Sequence, residues 1–226
     1  MKRREILDET TTPEGAHLEL ARDGDTYTIR VARVLLMSSA TYGSEEKLAQ
    51  IAAEAVAARP GAQVLVGGLG MGFTLRAALD RFGPTAQITV AELLPAIVRY
   101  NQGPLAHLAA APLSDPRVRL VEGDVRGAID LGGWDAIILD VDNGPSPLTA
   151  ASNASLYSDA GVGRIAAALR PGGVVAVWSE SPDDAFLRRL IRAGLHAEAR
   201  TAFARGDVKK GPRHTIFVGR RASPRS

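Results

Sequence analysis

Cysteine is absent from the 226-residue chain. That excludes a disulfide framework, a thiolate nucleophile and a cysteine-based zinc site. It is compatible with a reducing compartment, and a cytoplasmic location is the expectation. Aromatic residues make up only 5%, which offers few platforms for stacking bases. Long apolar runs are missing too. The apolar stretches are strand-sized, well short of the roughly 20 residues a bilayer-crossing helix needs. No apolar segment follows the charged start Met1-Lys2-Arg3-Arg4-Glu5, so neither a membrane span nor a signal peptide is expected. The four histidines, His17, His107, His196 and His214, do not pair at metal-ligand spacing. No metal is expected, and each histidine reads as a surface or edge residue. No Gly-Lys-Ser/Thr closes a Walker loop, and no Gly-x-Ser-x-Gly elbow supports a hydrolase triad.

What is present is ordinary in bulk: 46% hydrophobic and 23% charged residues, with a net charge of +2. These proportions describe a soluble globular protein of one domain, or one domain with a small appendage. A chain of this length buries roughly 70% of the surface its unfolded form exposes. Basic residues gather toward the end, at Arg205, Lys209, Lys210, Arg213, Arg220, Arg221 and Arg225. Two readings of them stay open, a solvated edge or an anion contact.

Extended stretches come first. Residues 17–22 alternate, Asp23-Gly24-Asp25 signals a turn, and 26–32 alternate again with Tyr27, Ile29 and Val31 on one face. Residues 34–37 form a third apolar run. The expectation is a small β appendage over residues 1–43, followed by one α/β domain over 44–226. Ser44 reads as the N-cap of a helix over 47–58, with Glu45 and Glu46 in its first turn.

From there strands and helices alternate. Strands are expected at 63–66, 87–91, 118–121, 136–140 and 174–178. Helices are expected at 73–81, 95–108, 125–130, 154–169 and 183–193. Such alternation implies a mostly parallel sheet covered on both faces. The last two strands, 196–204 and 214–219, have only a Gly- and Lys-rich linker between them and read as an antiparallel hairpin at one sheet edge.

In open α/β sheets, ligands sit beyond the carboxyl ends of the strands, near the switch in strand order. After the first core strand comes Gly67-Gly68-Leu69-Gly70-Met71-Gly72. Its glycines let the backbone turn tightly and approach a ligand. Alone the turn is ambiguous between packing, mononucleotide and dinucleotide roles. Glu92 ends the second strand, 20 residues beyond Gly72 by the numbering, where an acid can accept from both ribose hydroxyls or cap the next helix. Asp124, followed by Val125, can accept from an adenine amine or cap its own helix. Asp140-Val141-Asp142-Asn143-Gly144-Pro145 follows the fourth strand. A carboxylate there can orient or deprotonate an amine, or it can stabilise a turn.

Together these features resemble class I S-adenosylmethionine-dependent methyltransferases, and within them the spermidine synthase-like proteins, the polyamine aminopropyltransferases. The resemblance rests on Val64-Leu65-Val66-Gly67-Gly68 with Leu75-Arg76, on Glu92 with Pro95, and on Asp115-Pro116-Arg117-Val118 leading to Gly123-Asp124. It continues through Trp134-Asp135-Ala136-Ile137-Ile138-Leu139-Asp140, Leu156-Tyr157 and Leu169-Arg170-Pro171-Gly172-Gly173, spanning roughly residues 18–179. It implies a seven-stranded Rossmann-like sheet with helices on both faces and a small N-terminal β appendage. It also implies S-adenosylmethionine or its decarboxylated form as donor, no metal, a small amine-containing acceptor and a possible homodimer. By resemblance, Gly67, Gly68, Gly70 and Gly72 form the donor turn, Glu92 holds the ribose, and Asp124 with Val125 holds the adenine. Asp140, with Asp142 near it, acts on the attacking amine, and Tyr157 lies on the acceptor side.

Two departures are visible. The family's first turn carries an aspartate where Met71 stands, and that aspartate contacts the aminopropyl amine. The family's Asp-Ser-Ser-Asp-Pro loop has its second acid one position later than Asp142. A polyamine pocket needs carboxylates to pair with dispersed ammonium charges. These departures favour methyl transfer, with aminopropyl transfer as the alternative. An RNA methyltransferase and a non-catalytic nucleoside binder are the remaining alternatives. The basic tail is the only support for a nucleic-acid partner, so none is expected.

Overall fold

The computed structural model describes residues 4–56, 59–141, 155–205 and 211–223. Two sheets organise it. The first is a four-stranded antiparallel meander of β1 (Glu5–Thr11), β2 (His17–Asp23), β3 (Thr26–Val31) and β4 (Val34–Ser38). Strand β1 is not legible as a strand in the sequence. Glu5, Asp8 and Glu9 break its apolar pattern, and half of it faces solvent. Charges are tolerated there because an edge strand packs on one side only, and they discourage further pairing.

The second sheet has seven strands in the order β10-β11-β9-β8-β5-β6-β7. These are β5 (Gln63–Gly67), β6 (Gln87–Glu92), β7 (Val118–Glu122), β8 (Trp134–Leu139), β9 (Leu169–Ser179), β10 (Leu195–Phe203) and β11 (Arg213–Arg221). Strands β5 to β9 run parallel, while β11 runs antiparallel to both β9 and β10. The expected hairpin at the sheet edge is therefore present. Strand order reverses beside β5, so a crevice opens between the carboxyl ends of β5 and β8.

Alternation along these strands splits the interior in two. Val64, Val66, Ile88, Val90, Ala136 and Ile138 face one core, which includes Leu48 and Ile51 of α1 (Gly43–Val56), Leu75 and Leu79 of α2 (Phe73–Arg81), and Ile97 of α3 (Pro95–Gln102). Leu18, Leu20 and Ile29 of the meander join that same core. Leu65, Ile137, Leu139 and Val175 face the other core, with α4 (Val125–Asp130), α5 (Asp159–Ala168) and α6 (Asp184–Arg192). Successive side chains of a strand point to opposite faces, so both faces of a central strand must be apolar. All six residues of β8 are buried accordingly.

Three local expectations change. Ser44 is not an N-cap but lies inside α1, because the Gly43 amide is tied to the Ala204 carbonyl at 2.9 Å and starts the helix earlier. The helix from Pro95 stops at Gln102, since Gly103 leaves helical geometry, and a short 3-10 turn at Ala106–Ala109 follows. Strand β9 begins at Leu169, so Arg170-Pro171-Gly172-Gly173 lies within the strand, beside an irregularity in its pairing with β8.

Candidate active site

A cavity of about 340 Å³ opens at the carboxyl ends of β5, β6, β7 and β8 and is covered on one side by β4 and the start of α1. Gly68 and Gly70 line it, whereas Gly67 and Gly72 do not. Gly68 has φ +87°, and a Cβ there would lie 2.3 Å from the Asp140 carbonyl oxygen. The turn after β5 can therefore press against the end of β8 only if it carries glycine. The Asp140 amide donates to the Gly67 carbonyl at 2.9 Å, which completes this crossing at the switch point. Gly72, also at positive φ, opens α2.

Glu92 locks the turn from the next strand. Its Oε2 accepts from the Leu69 amide at 2.9 Å and its Oε1 from the Leu94 amide at 2.8 Å. The residue is only 8% exposed yet borders the cavity. Burial raises its pKa, and the backbone amides oppose the rise.

Asp124 takes the capping role foreseen for it and sits at the edge of the cavity. Its Oδ1 accepts from the Arg126 amide at 2.8 Å and caps α4, and the side chain also borders the cavity beside Gly123 and Val125. The Arg126 guanidinium grips the same carboxylate at 2.6 Å and holds its pKa down. An incoming amine would share this carboxylate with Arg126.

Asp140 lies at the cavity floor. Thr74 Oγ1 donates to its Oδ2 at 2.5 Å. Burial pushes its pKa up to about 6, against the Thr74 hydrogen bond. Asp142 and residues 143–145 lie outside the described residues. Tyr157, read from the sequence as an acceptor-side residue, is instead buried in the second core, edge-on to Phe186 at 5.4 Å, and does not line the cavity. Met71 is fully buried in the first core and turns away from the cavity.

The site also contains residues the sequence reading placed elsewhere. Glu45, read from the sequence first as a helix-end acid and only as an alternative as an acid for the cleft, lines the cavity and accepts from Ser44 Oγ at 2.7 Å. Burial first, and the Asp140 charge second, raise its pKa to about 7. His214, read as an edge residue, also lines the cavity, with Nδ1 3.0 Å from Ser44 Oγ. Burial lowers its pKa, while Glu180 opposes that shift. Trp178 also borders the cavity, edge-on to His214 at 4.7 Å. One signal for His214 was available. The first residues of an antiparallel strand lie at the carboxyl ends of its parallel neighbours, where ligands bind.

Among the described residues six acids line the cavity: Glu14, Glu45, Glu92, Asp124, Asp140 and Glu180. Among the described lining residues none is a lysine or arginine. Low-dielectric walls with charge of one sign focus a negative potential and favour cationic occupants.

No family model matches the chain. It is 38% identical over 122 residues to putrescine N-methyltransferase 3 of Nicotiana tabacum, a match covering 53% of this chain and 30% of that relative. Putrescine N-methyltransferase 1 of Nicotiana attenuata is 37% identical over 122 residues, again 53% of this chain and 30% of the relative. The chain thus spans under a third of the length of these curated relatives. A solved spermidine synthase in complex with the transition state analogue AdoDATO superposes with a TM-score of 0.79 at 16% identity, covering 96% of this chain and 74% of that one. The Thermotoga maritima spermidine synthase gives 0.75 at 16% identity, over 96% and 73%. The chain has the fold of spermidine synthase, and its sequence similarity is to putrescine N-methyltransferases.

Proposed function

We propose that this protein transfers a methyl group from S-adenosylmethionine to an amine nitrogen of a polyamine. The observation that carries the reading is the cavity itself. A glycine turn and the buried Glu92 form one side, and the buried Asp140 and an acidic lining form the other. The donor supplies an electrophilic carbon on a positively charged sulfur. Gly68 and Gly70 leave room for it against the backbone, Glu92 accepts from its ribose hydroxyls, and Asp124 and Val125 border its adenine. Asp140 orients the acceptor ammonium and takes a proton from it, so that a neutral nitrogen can attack. Alignment and deprotonation supply most of the rate when the leaving group is already good.

Methyl rather than aminopropyl transfer is favoured by Met71. Its side chain is buried in the core and has no charge to hold an aminopropyl ammonium. Aminopropyl transfer keeps one observation in its favour. No described lining residue is a cation that could pair with the methionine carboxylate of S-adenosylmethionine, and the decarboxylated donor lacks that group. The two readings separate by calorimetry with S-adenosylmethionine, its decarboxylated form and methylthioadenosine, followed by mass spectrometry of putrescine incubated with each donor. Binding of none of them in the micromolar range overturns the site assignment. Preferred binding and turnover of the decarboxylated donor overturns methyl transfer. A homodimer through the meander, whose Ile6, Val34 and Leu35 are exposed, belongs to the same proposal, and sedimentation velocity tests it.

A further inference from the structure

We propose that Glu45 is a second proton-accepting carboxylate for the acceptor amine, acting as a pair with Asp140 and held in place by Ser44 and His214. The inference rests on the polyamine reading above. Both carboxyls line one cavity but arrive from distant segments, Glu45 from the first turn of α1 and Asp140 from the end of β8.

Glu45 is fixed rather than free to swing. Ser44, itself 1% exposed, donates its only hydroxyl proton to Glu45 Oε2 at 2.7 Å. His214 Nδ1 stands 3.0 Å from the same hydroxyl oxygen. The serine proton being committed, Nδ1 must be the donor there, so the neutral ring carries its proton on Nδ1. Trp178 packs edge-on against that ring at 4.7 Å. A helix-end acid with only a solvent role needs no such backing.

The charged surroundings make Glu45 responsive. Asp140 faces it across the cavity, Glu46 is its neighbour on α1, and His214 with Glu180 faces it from the β11 and β9 side. Two buried carboxyls that feel each other's charge cannot both ionise easily, and they lose their protons in separate steps. The free pair therefore keeps a proton near neutral pH, and an arriving ammonium draws it into the doubly ionised state.

The chemistry balances. The ammonium gives one proton to the carboxylate pair and becomes a neutral amine. The nitrogen lone pair forms the N–C bond, and the C–S electron pair leaves with sulfur, which becomes a neutral thioether. The product is a methylated ammonium, and the transferred proton remains on the pair.

The test compares wild type with Glu45→Gln, Glu45→Asp and Ser44→Ala, using putrescine as the probe. Carboxyl-carbon NMR of the free protein should show Asp140 titrating in two linked steps in wild type and in one step in Glu45→Gln. Calorimetry should show putrescine binding weakened about tenfold or more in Glu45→Gln, restored in large part by Glu45→Asp, and weakened less in Ser44→Ala. Methylthioadenosine binding should be unchanged in all three. In turnover, the acid limb of log kcat/KM against pH should fall from a slope near two to a slope near one in Glu45→Gln. An Asp140 titration identical in wild type and Glu45→Gln overturns the pair. Wild-type putrescine affinity in Glu45→Gln overturns the acceptor role. If wild type binds methylthioadenosine but no diamine, the polyamine reading and the acceptor role both fail, and the Asp140 titration still decides whether the carboxyls are coupled.

Discussion

Replacing Glu92 with glutamine keeps the side-chain shape but removes the charge and turns one acceptor oxygen into a donor. In wild type the two carboxylate oxygens receive the Leu69 and Leu94 amides at 2.9 and 2.8 Å. The amide of glutamine can serve only one of them. The other backbone N–H is left buried against a second donor, at a cost of about 1–3 kcal/mol. Removing a carboxylate whose pKa burial has raised offsets part of that cost. The net loss of stability should therefore be small, within about 2 kcal/mol. Donor affinity should suffer far more. A hydrogen bond to a charged group contributes about 1.5–3 kcal/mol, and the variant loses one ribose acceptor and weakens the other. A loss of about 2–4 kcal/mol follows, which is roughly 30- to 1,000-fold in Kd. The assay is calorimetry with S-adenosylmethionine and methylthioadenosine at 25 °C, with circular dichroism melts as the control for folding. A folded variant that binds both nucleosides within about threefold of wild type refutes the ribose role, since that change is under about 0.7 kcal/mol.

Other outcomes follow from the same geometry. Gly68→Ala places a methyl 2.3 Å from the Asp140 carbonyl at φ +87°, so donor binding should fall below detection in calorimetry while the helical signal in circular dichroism persists. Met71→Asp should not create an ammonium site. It buries a charge in the first core and should cost several kcal/mol, on the order of 3 or more, read as a lower denaturation midpoint. Asp135 accepts from Arg59 at 2.6 Å, Arg170 at 2.9 Å and the Gln63 amide at 2.9 Å, far from the cavity lining. Asp135→Ala should destabilise by about 3–5 kcal/mol in urea melts, leaving donor affinity of the folded fraction unchanged. Asp140→Asn should change stability with pH. Burial raises the folded pKa of Asp140 from 3.8 to about 6, so its stabilising contribution is full below pH 3.8 and is lost as pH rises through about 6. The variant should therefore gain on wild type by about 3 kcal/mol over the whole range, about 1.4 kcal/mol of it between pH 5 and pH 8, and equal melting differences at those two pH values would refute the assignment.

Legibility in the sequence divides along the site. The proposed donor half consists of residues immediately after single strands: Gly68 and Gly70 after β5, Glu92 at the end of β6, Asp124 after β7 and Asp140 after β8. Each needs only a strand and a turn to be placed, and strand periodicity reveals both. The two cores are legible for the same reason, since Val64 and Leu65 must face opposite sides of β5. Strand β1 was not legible because Glu5, Asp8 and Glu9 suit an edge and spoil the alternation. Tyr157 illustrates a different limit. Its position in the chain matched a resemblance, but its ring packs on Phe186 in the second core, and sequence spacing does not encode which way a ring turns.

The proposed acceptor half depends on contacts between segments far apart in sequence. Glu45 reaches the cavity because the Gly43 amide is pinned to Ala204 at the end of β10, which sets where α1 begins and which face its first turn presents. His214 reaches the cavity because β11 runs antiparallel, with Ile216 paired to Trp178 and Thr215 paired to Ser179. Its first residues therefore meet the carboxyl end of β9. The strand that joins the edge strand β10 to β9 thus also carries His214, one of the residues proposed for the acceptor side. A substitution that loosens the β9–β11 pairing, such as Thr215→Pro, removes a buried strand donor and should disturb putrescine binding more than methylthioadenosine binding. The donor turn between β5 and β8 lies on the other side of β9 and keeps its own hydrogen bonds, so equal loss of both ligands in a folded variant would show that the two halves are not separately built.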